Sequence, residues 1–228
     1  MNVAAHRVII AEAILALLFA LGVVGSVSGG QTALPEDAYL VPLGSVPAAS
    51  GGQATRPERV HLVPLGEVFS VSYDALLSHY RDRFGLALAV LPAVPLTLEQ
   101  IDLGRSQFVA EALIARMRAA YPDLDQDPAA LLIGLTEHDM YLEHRPEWRF
   151  GFALRLGSRF AVISSARMDD FNRGGEPEPA LLHTRLRKMI TRTLGLMYFG
   201  LPPSDDPRSV LYHSILGIED LDAVTEDF

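Results

Sequence analysis

The stretch "AALLIGLT" (129–136) constrains the fold most. It holds no charge and no polar side chain before Thr136. A strand with no polar face has to be covered on both sides, which is the signature of a parallel strand layered between helices. A second continuous apolar run, "LALAVLP" (86–92), is ended by proline and reads as another buried strand. The segments between such runs have helical spacing instead. "SYDALLSHYRDRF" (72–84) places Leu76, Leu77, Tyr80 and Phe84 on one side, and "RSQFVAEALIARMRAAY" (105–121) does so with Phe108, Ala112, Ile114, Met117 and Tyr121. "RVHLVPL", from Arg59, reads as the strand that opens the series.

The second half changes pattern. "WRFGFALRL" (148–156) alternates Trp148, Phe150, Phe152 and Leu154, as a half-exposed strand does, and "RFAVISS" (159–165) follows closely enough to make a hairpin. "EPALLHTRLRKMITRTLGLMYFG" (178–200) predicts the longest helix. Pro179 suits a first helical position, and Leu182, Leu186, Met189, Thr193 and Met197 form its stripe. Gly200 and the prolines at 202–203 end it, and "GIEDLDAV" (217–224) predicts a short last helix. The order β-α-β-α-β-β-β-α implies an α/β (α+β) fold with a mixed, mainly parallel sheet and packed helices.

What precedes Arg59 reads differently. Arg7 is followed by an apolar run that carries no charge or amide from Ala13 to Val27, so residues 1–28 are expected to be a signal peptide or an N-terminal membrane anchor. Residues 29–58, rich in Gly, Ala, Pro, Ser and Gln, read as a flexible linker. Within it "LVPLGSV" (40–46) repeats "LVPLGEV" (62–68), either as a chance echo or as a copy able to pair with a sheet edge. Either N-terminal reading exports residues 59–228, the expected domain, so membrane contact is expected only through the N-terminal segment. A formal net charge of −9 argues against a nucleic-acid partner, and the absence of cysteine excludes disulfides, thiolate zinc sites and a thiol nucleophile.

Several segments in this order resemble the archaemetzincin family of zinc metallopeptidases, from about Arg59 to Asp222. They are the opening strand "VHLVPLGEV", the Arg-x-Gln-aromatic piece in "LGRSQFVAEALI", and the Thr-x-x-Asp-x-Tyr piece in "LLIGLTEHDMY". "FGFALRLGSRFAVISSARM" is similar to the hairpin before the zinc helix, and "SVLYHSILGIEDLD" to the stretch around the Met-turn, with Leu211 in place of its methionine. The resemblance implies a zincin-like fold with an active-site helix at "RKMITRTLGL". The family's helix begins His-Glu-x-x-His-x-x-Gly, where two imidazoles share a zinc ion, the glutamate serves as base, and the glycine lets the chain turn back to a third ligand. Anchored on Gly195, those positions are Lys188, Met189 and Arg192, with Tyr198 at the third ligand. Arginine stays protonated, lysine would need a large pKa depression, and methionine is no base.

The expectation is therefore a catalytically inactive peptidase homologue, with no catalytic or metal residue and no cofactor, that binds a peptide or protein in its cleft. Lys188 and Arg192, four apart on one helical face, are candidates for an anion or a peptide carboxylate, or they simply pair with acids or reach solvent. The alternative is an active zinc-dependent hydrolase whose ligands follow no recognised spacing, drawing on His138, His144 or His213 with nearby acids. A third reading is a tethered scaffold without a cleft.

Overall fold

The computed structural model describes residues 56–68 and 70–228. The readings for residues 1–55, including the export signal, most of the linker and the first "LVPLG" copy, lie outside them. Among the described residues no helix is long and apolar enough to cross a membrane.

The chain runs β1 (Arg59–Pro64), α1 (Tyr73–Phe84), β2 (Leu88–Val90), β3 (Ile101–Asp102), β4 (Gln107–Val109), α2 (Ala110–Ala120) and α3 (Pro122–Gln126). It continues through β5 (Ala130–Thr136), β6 (Met140–Tyr141), β7 (Ala153–Leu156), β8 (Phe160–Ser164), α4 (Pro179–Met197) and α5 (Ile218–Ala223). The main sheet has the order β2-β1-β5-β8-β7, with the first four strands parallel and β7 antiparallel at the edge.

β5 is central, and all seven of its residues are buried. Leu131, Ile133 and Leu135 face one core with α1, α4 and α5, while Ala130 and Leu132 face a second core with Leu113, Ile114 and Met117 of α2. The unbroken apolar run thus reflects two covered faces. The other apolar run behaves differently. β2 is a three-residue edge strand and only half-buried, because its single partner is β1 and no helix covers its outer side as fully.

α1 keeps its signals: Ser72 caps its start and Gly85, at φ 62°, ends it in a left-handed turn. α2 is shorter than its stripe suggests. Phe108 lies before it and Tyr121 after it, because Gln107–Val109 pair with β3 and β6 in a separate three-stranded sheet. The alternating run from Trp148 becomes a strand only at Ala153. Before that, the Pro146 and Trp148 carbonyls accept bonds from Arg105 instead of joining the ladder.

α4 is the pivot of the first core. Every residue from Lys188 to Gly195 is buried, so this helix is enclosed on all sides. Tyr80, fully buried on α1, donates to the Arg187 carbonyl at 2.9 Å and lies 3.2 Å from the Thr191 hydroxyl, fixing the two helices together.

The tight layering predicts one sensitive glycine. A Cβ on Gly134 of β5 would stand 2.6 Å from Leu65 Cδ1 and 3.3 Å from Met117 Sδ, and both side chains are fully buried. Gly134→Ala is expected to cost about 1–3 kcal/mol through overpacking. Urea unfolding would show this as a lower midpoint, and an unchanged midpoint would mean the α2 layer is looser than described.

Candidate functional site

Arg185, Lys188, Arg192 and Gly195 follow one another at helical steps and form a single face of α4. That face is covered by the C-terminal segment. Lys188 Nζ donates to the carbonyls of Leu221 and Asp222 at 3.0 and 2.9 Å. Arg192 Nη1 donates to the carbonyl of Val210 at 3.0 Å and to that of Tyr212. Arg185 holds Asp222 through two bonds of 2.7 Å, and its Nη1 reaches Asp170 and the Met168 carbonyl, each at 2.8 Å. Three cations of one helix therefore bind three places along the chain that follows or precedes it.

Their electrostatics differ. The paired Asp222 raises the Arg185 pKa, and Arg185 in turn holds the Asp222 carboxyl below its usual range. Burial lowers the Lys188 pKa, opposed by Asp222 and Glu226. Burial also lowers that of Arg192, and the positive charge of Arg155 adds to it. Backbone carbonyls, not carboxylates, are the acceptors for Lys188 and Arg192. The sequence suggested an exogenous anion, an acid or solvent as their partners, and their bonded donors instead meet carbonyls of their own chain.

Gly195 does not bend the chain. α4 runs through it to Met197, and the turn comes at Gly200, with φ 64°, where the Leu201 amide donates to the Gly195 carbonyl at 2.8 Å. The glycine serves close packing: an added Cβ would stand 2.6 Å from both Leu211 Cδ2 and Phe228 Cε1. Leu211, at the expected Met-turn position, is buried under this face. Met189 faces the first core. Tyr198 sits at the helix end, half-buried, with its ring edge-on to Phe199 at 5.0 Å.

The histidines do not converge. His138 stacks on Phe108 at 4.7 Å, and burial lowers its pKa. His144 pairs with Glu111 at 2.6 Å, and His213 lies 3.5 Å from Asp205. His183 Nε2 is 2.7 Å from the Ser70 carbonyl. Among the described residues no three His, Asp or Glu side chains are placed to hold a metal ion.

Two motif pieces do meet. Arg105 lies over the Tyr141 ring at 4.0 Å, and Gln107, between them in the small sheet, donates to Asp139 at 3.0 Å. Asp139 also takes a bidentate contact from Arg167. The Arg-x-Gln and Asp-x-Tyr pieces, over thirty residues apart in sequence, form one interlocked polar cluster beside the sheet.

No protein-family model matches the sequence, and a search of curated proteins finds no match. Solved structures do match. The archaemetzincin of Archaeoglobus fulgidus, solved with malonate, is 22% identical with a TM-score of 0.58, over 75% of this chain and 94% of that one. A zinc-dependent peptidase from Methanocorpusculum labreanum gives 20% and 0.62, over 74% and 95%, and the archaemetzincin of Methanopyrus kandleri gives 24% and 0.57, over 76% and 91%. The chain has the zincin-like fold of these proteins. A zinc ion is what the sequence resemblance implies for this helix, and the residues it puts at the ligand positions do not fit one. Lys188 and Arg192 present donors to carbonyls, and Tyr198, at the helix cap, packs against the first core.

Lys188→Met tests the carbonyl contacts. It removes the donor from two carbonyls, one of them buried, and is expected to cost about 1–3 kcal/mol. Hydrogen exchange should quicken first in residues 218–224. Unchanged exchange there would mean that Lys188 does not hold the C-terminal segment.

Proposed function

We propose that this chain, with its archaemetzincin fold, is an exported, non-catalytic peptidase homologue that binds a peptide or protein in its cleft without zinc. The observation that carries the reading is the burial of two cations on one face of α4. Lys188 and Arg192 stand at the helix positions where this family is expected to hold its metal, and both tie the helix to the C-terminal segment. A cation in that place repels a divalent ion and offers no lone pair to it. The helix is unbroken at Gly195, and Tyr198, at its cap, packs against the first core.

Peptide binding has a structural counterpart. β7 is an antiparallel edge strand of the main sheet, and an exposed edge can receive an extended peptide as a further strand. The adjacent hairpin strand β8 is fully buried, so the edge is held on a rigid support.

Metal content and cleavage test the catalytic part together. The full chain, purified without chelators and incubated with zinc, is expected to carry far less than one zinc per molecule and to leave a mixed peptide library uncut. Stoichiometric zinc with cleavage would overturn the reading in favour of an active hydrolase. Export is checked separately by expressing the full chain and sequencing the mature N-terminus. A start near residues 27–30, or an intact chain in the membrane fraction with its C-terminal part outside, is expected. An intact chain in the soluble cytoplasmic fraction would remove export.

A further inference from the structure

The polar cluster beside the small sheet plays no part in the reading of α4, and it lines a cavity. Arg105, Ser106, Gln107, Asp139, Arg149 and Arg167 surround an open space of about 450 Å³. That size lies within the range that holds a small molecule. The six residues come from four separate places: the turn into β4, the residue before β6, the stretch before β7 and the loop after β8.

The lining divides by what each side chain bonds. Arg105 uses all three of its guanidinium nitrogens inside the fold. Nε donates to Gln107 Oε1 at 3.0 Å, Nη1 to the Pro146 carbonyl at 2.8 Å and Nη2 to the Trp148 carbonyl at 2.7 Å. Gln107 Nε2 donates to the Arg149 carbonyl at 2.8 Å. These bonds clamp the backbone that carries Arg149, so its exposed side chain starts from a fixed point. The Arg149 guanidinium itself has no hydrogen-bond or ion-pair partner among the described residues. Arg167 is held against Asp139 by Nε, at 3.0 Å, and by Nη2, with its guanidinium 5.4 Å from the centre of the Phe150 ring. Its Nη1 meets no partner among the described residues.

Ser106 adds a hydroxyl. It is exposed, and with φ at 55° it is the one non-glycine residue at positive φ among the described residues. Glycine would suit that backbone better, and it would bring no donor to the cavity. Three guanidinium groups and a single carboxylate line the space, which leaves two positive charges uncompensated there, on a chain whose formal net charge is −9. A phosphate monoester matches this set. At neutral pH it carries close to two negative charges and presents three strong acceptor oxygens. A guanidinium fork and two single donors satisfy those oxygens, whereas a monocarboxylate neutralises only half of the charge.

We propose that this cavity binds the phosphoryl group of a small phosphate monoester. Arg149, Arg167 Nη1 and the Ser106 hydroxyl are its donors, and Arg105 and Gln107 are positioning residues. The space left beside the phosphoryl group takes the esterified part. The site stands apart from peptide binding and from the chemistry of α4, and its failure leaves both readings untouched.

The test is isothermal titration calorimetry of the full chain in detergent, in a phosphate-free buffer of low ionic strength. The probes are glycerol phosphate, inorganic phosphate, dimethyl phosphate and succinate. Glycerol phosphate is expected to bind once per chain, more tightly than inorganic phosphate. It should bind about tenfold or more tighter than dimethyl phosphate, which has a single charge, and succinate, whose two charges lie apart. Arg149→Gln should weaken glycerol phosphate binding about tenfold or more and leave the thermal unfolding midpoint unchanged, because its guanidinium bonds to nothing in the fold. Ser106→Gly should weaken binding less and should not lower the midpoint. Arg81→Gln, on the exposed side of α1 and outside the cavity, should change nothing.

Absence of binding by both glycerol phosphate and inorganic phosphate would overturn the site. Equal binding of dimethyl phosphate or succinate would overturn its assignment to a phosphate monoester. Tighter binding of inorganic phosphate would overturn the ester and make the free ion the ligand. An affinity loss in Arg81→Gln equal to that in Arg149→Gln would mean that binding follows overall charge, and would overturn the cavity as its place.

Discussion

The bonds from Arg185, Lys188 and Arg192 to the chain around them are the contacts on which the C-terminal third depends. A cation buried without a partner costs several kcal/mol, so these side chains can be enclosed only if the carbonyls and carboxylates they meet are in place. In return, those acceptors fix where residues 168–170, 210–212 and 221–222 lie relative to α4. The segment after α4 is mostly irregular, with little regular backbone bonding of its own, and its course is set by these contacts and by Leu211 and Phe228 packing at Gly195. Protonated side chains link this face directly to the backbone.

That linkage bears on chemistry. Hydrolysis by a zinc peptidase requires an electron-deficient centre with an open position and a base beside it. The face of α4 has electron-deficient groups in abundance, but they are hydrogen-bond donors with fixed acceptors, and Met189 is turned into the core. What such a face does is hold the C-terminal segment in place. Arg185 on the same face is neutralised by Asp170 and Asp222.

Much of the scaffold was legible because local signals agreed with tertiary demands. β5 reads as apolar throughout because both of its faces are covered, and the limits of α4 follow from Pro179 and Gly200. The failures have equally local causes. "LALAVLP" is as apolar as a buried strand, yet β2 lies at an edge, since composition does not reveal how many neighbours a strand has. The stripe of 105–121 was read one element too far, because Phe108 suits a helix face as well as it suits its stack on His138. Gly195 suits a turn by its sequence context, and in the fold it lets Leu211 and Phe228 approach the helix backbone closely.

The sequence by itself determined the layer order, the long helix and which side chains follow one another along that helix, because these depend on side-chain type and on periods of two and 3.6 residues. Only the tertiary structure decided what those side chains do. Lys188 and Arg192 look alike on a helical wheel, but one is bound to the Leu221 and Asp222 carbonyls of α5 while the other is bound to the Val210 and Tyr212 carbonyls of the segment between α4 and α5. The physical reason is that a cation's role is set by the acceptors and charges within a few ångströms of it. Those come from residues 210–222, a later segment that only folding brings to the helix.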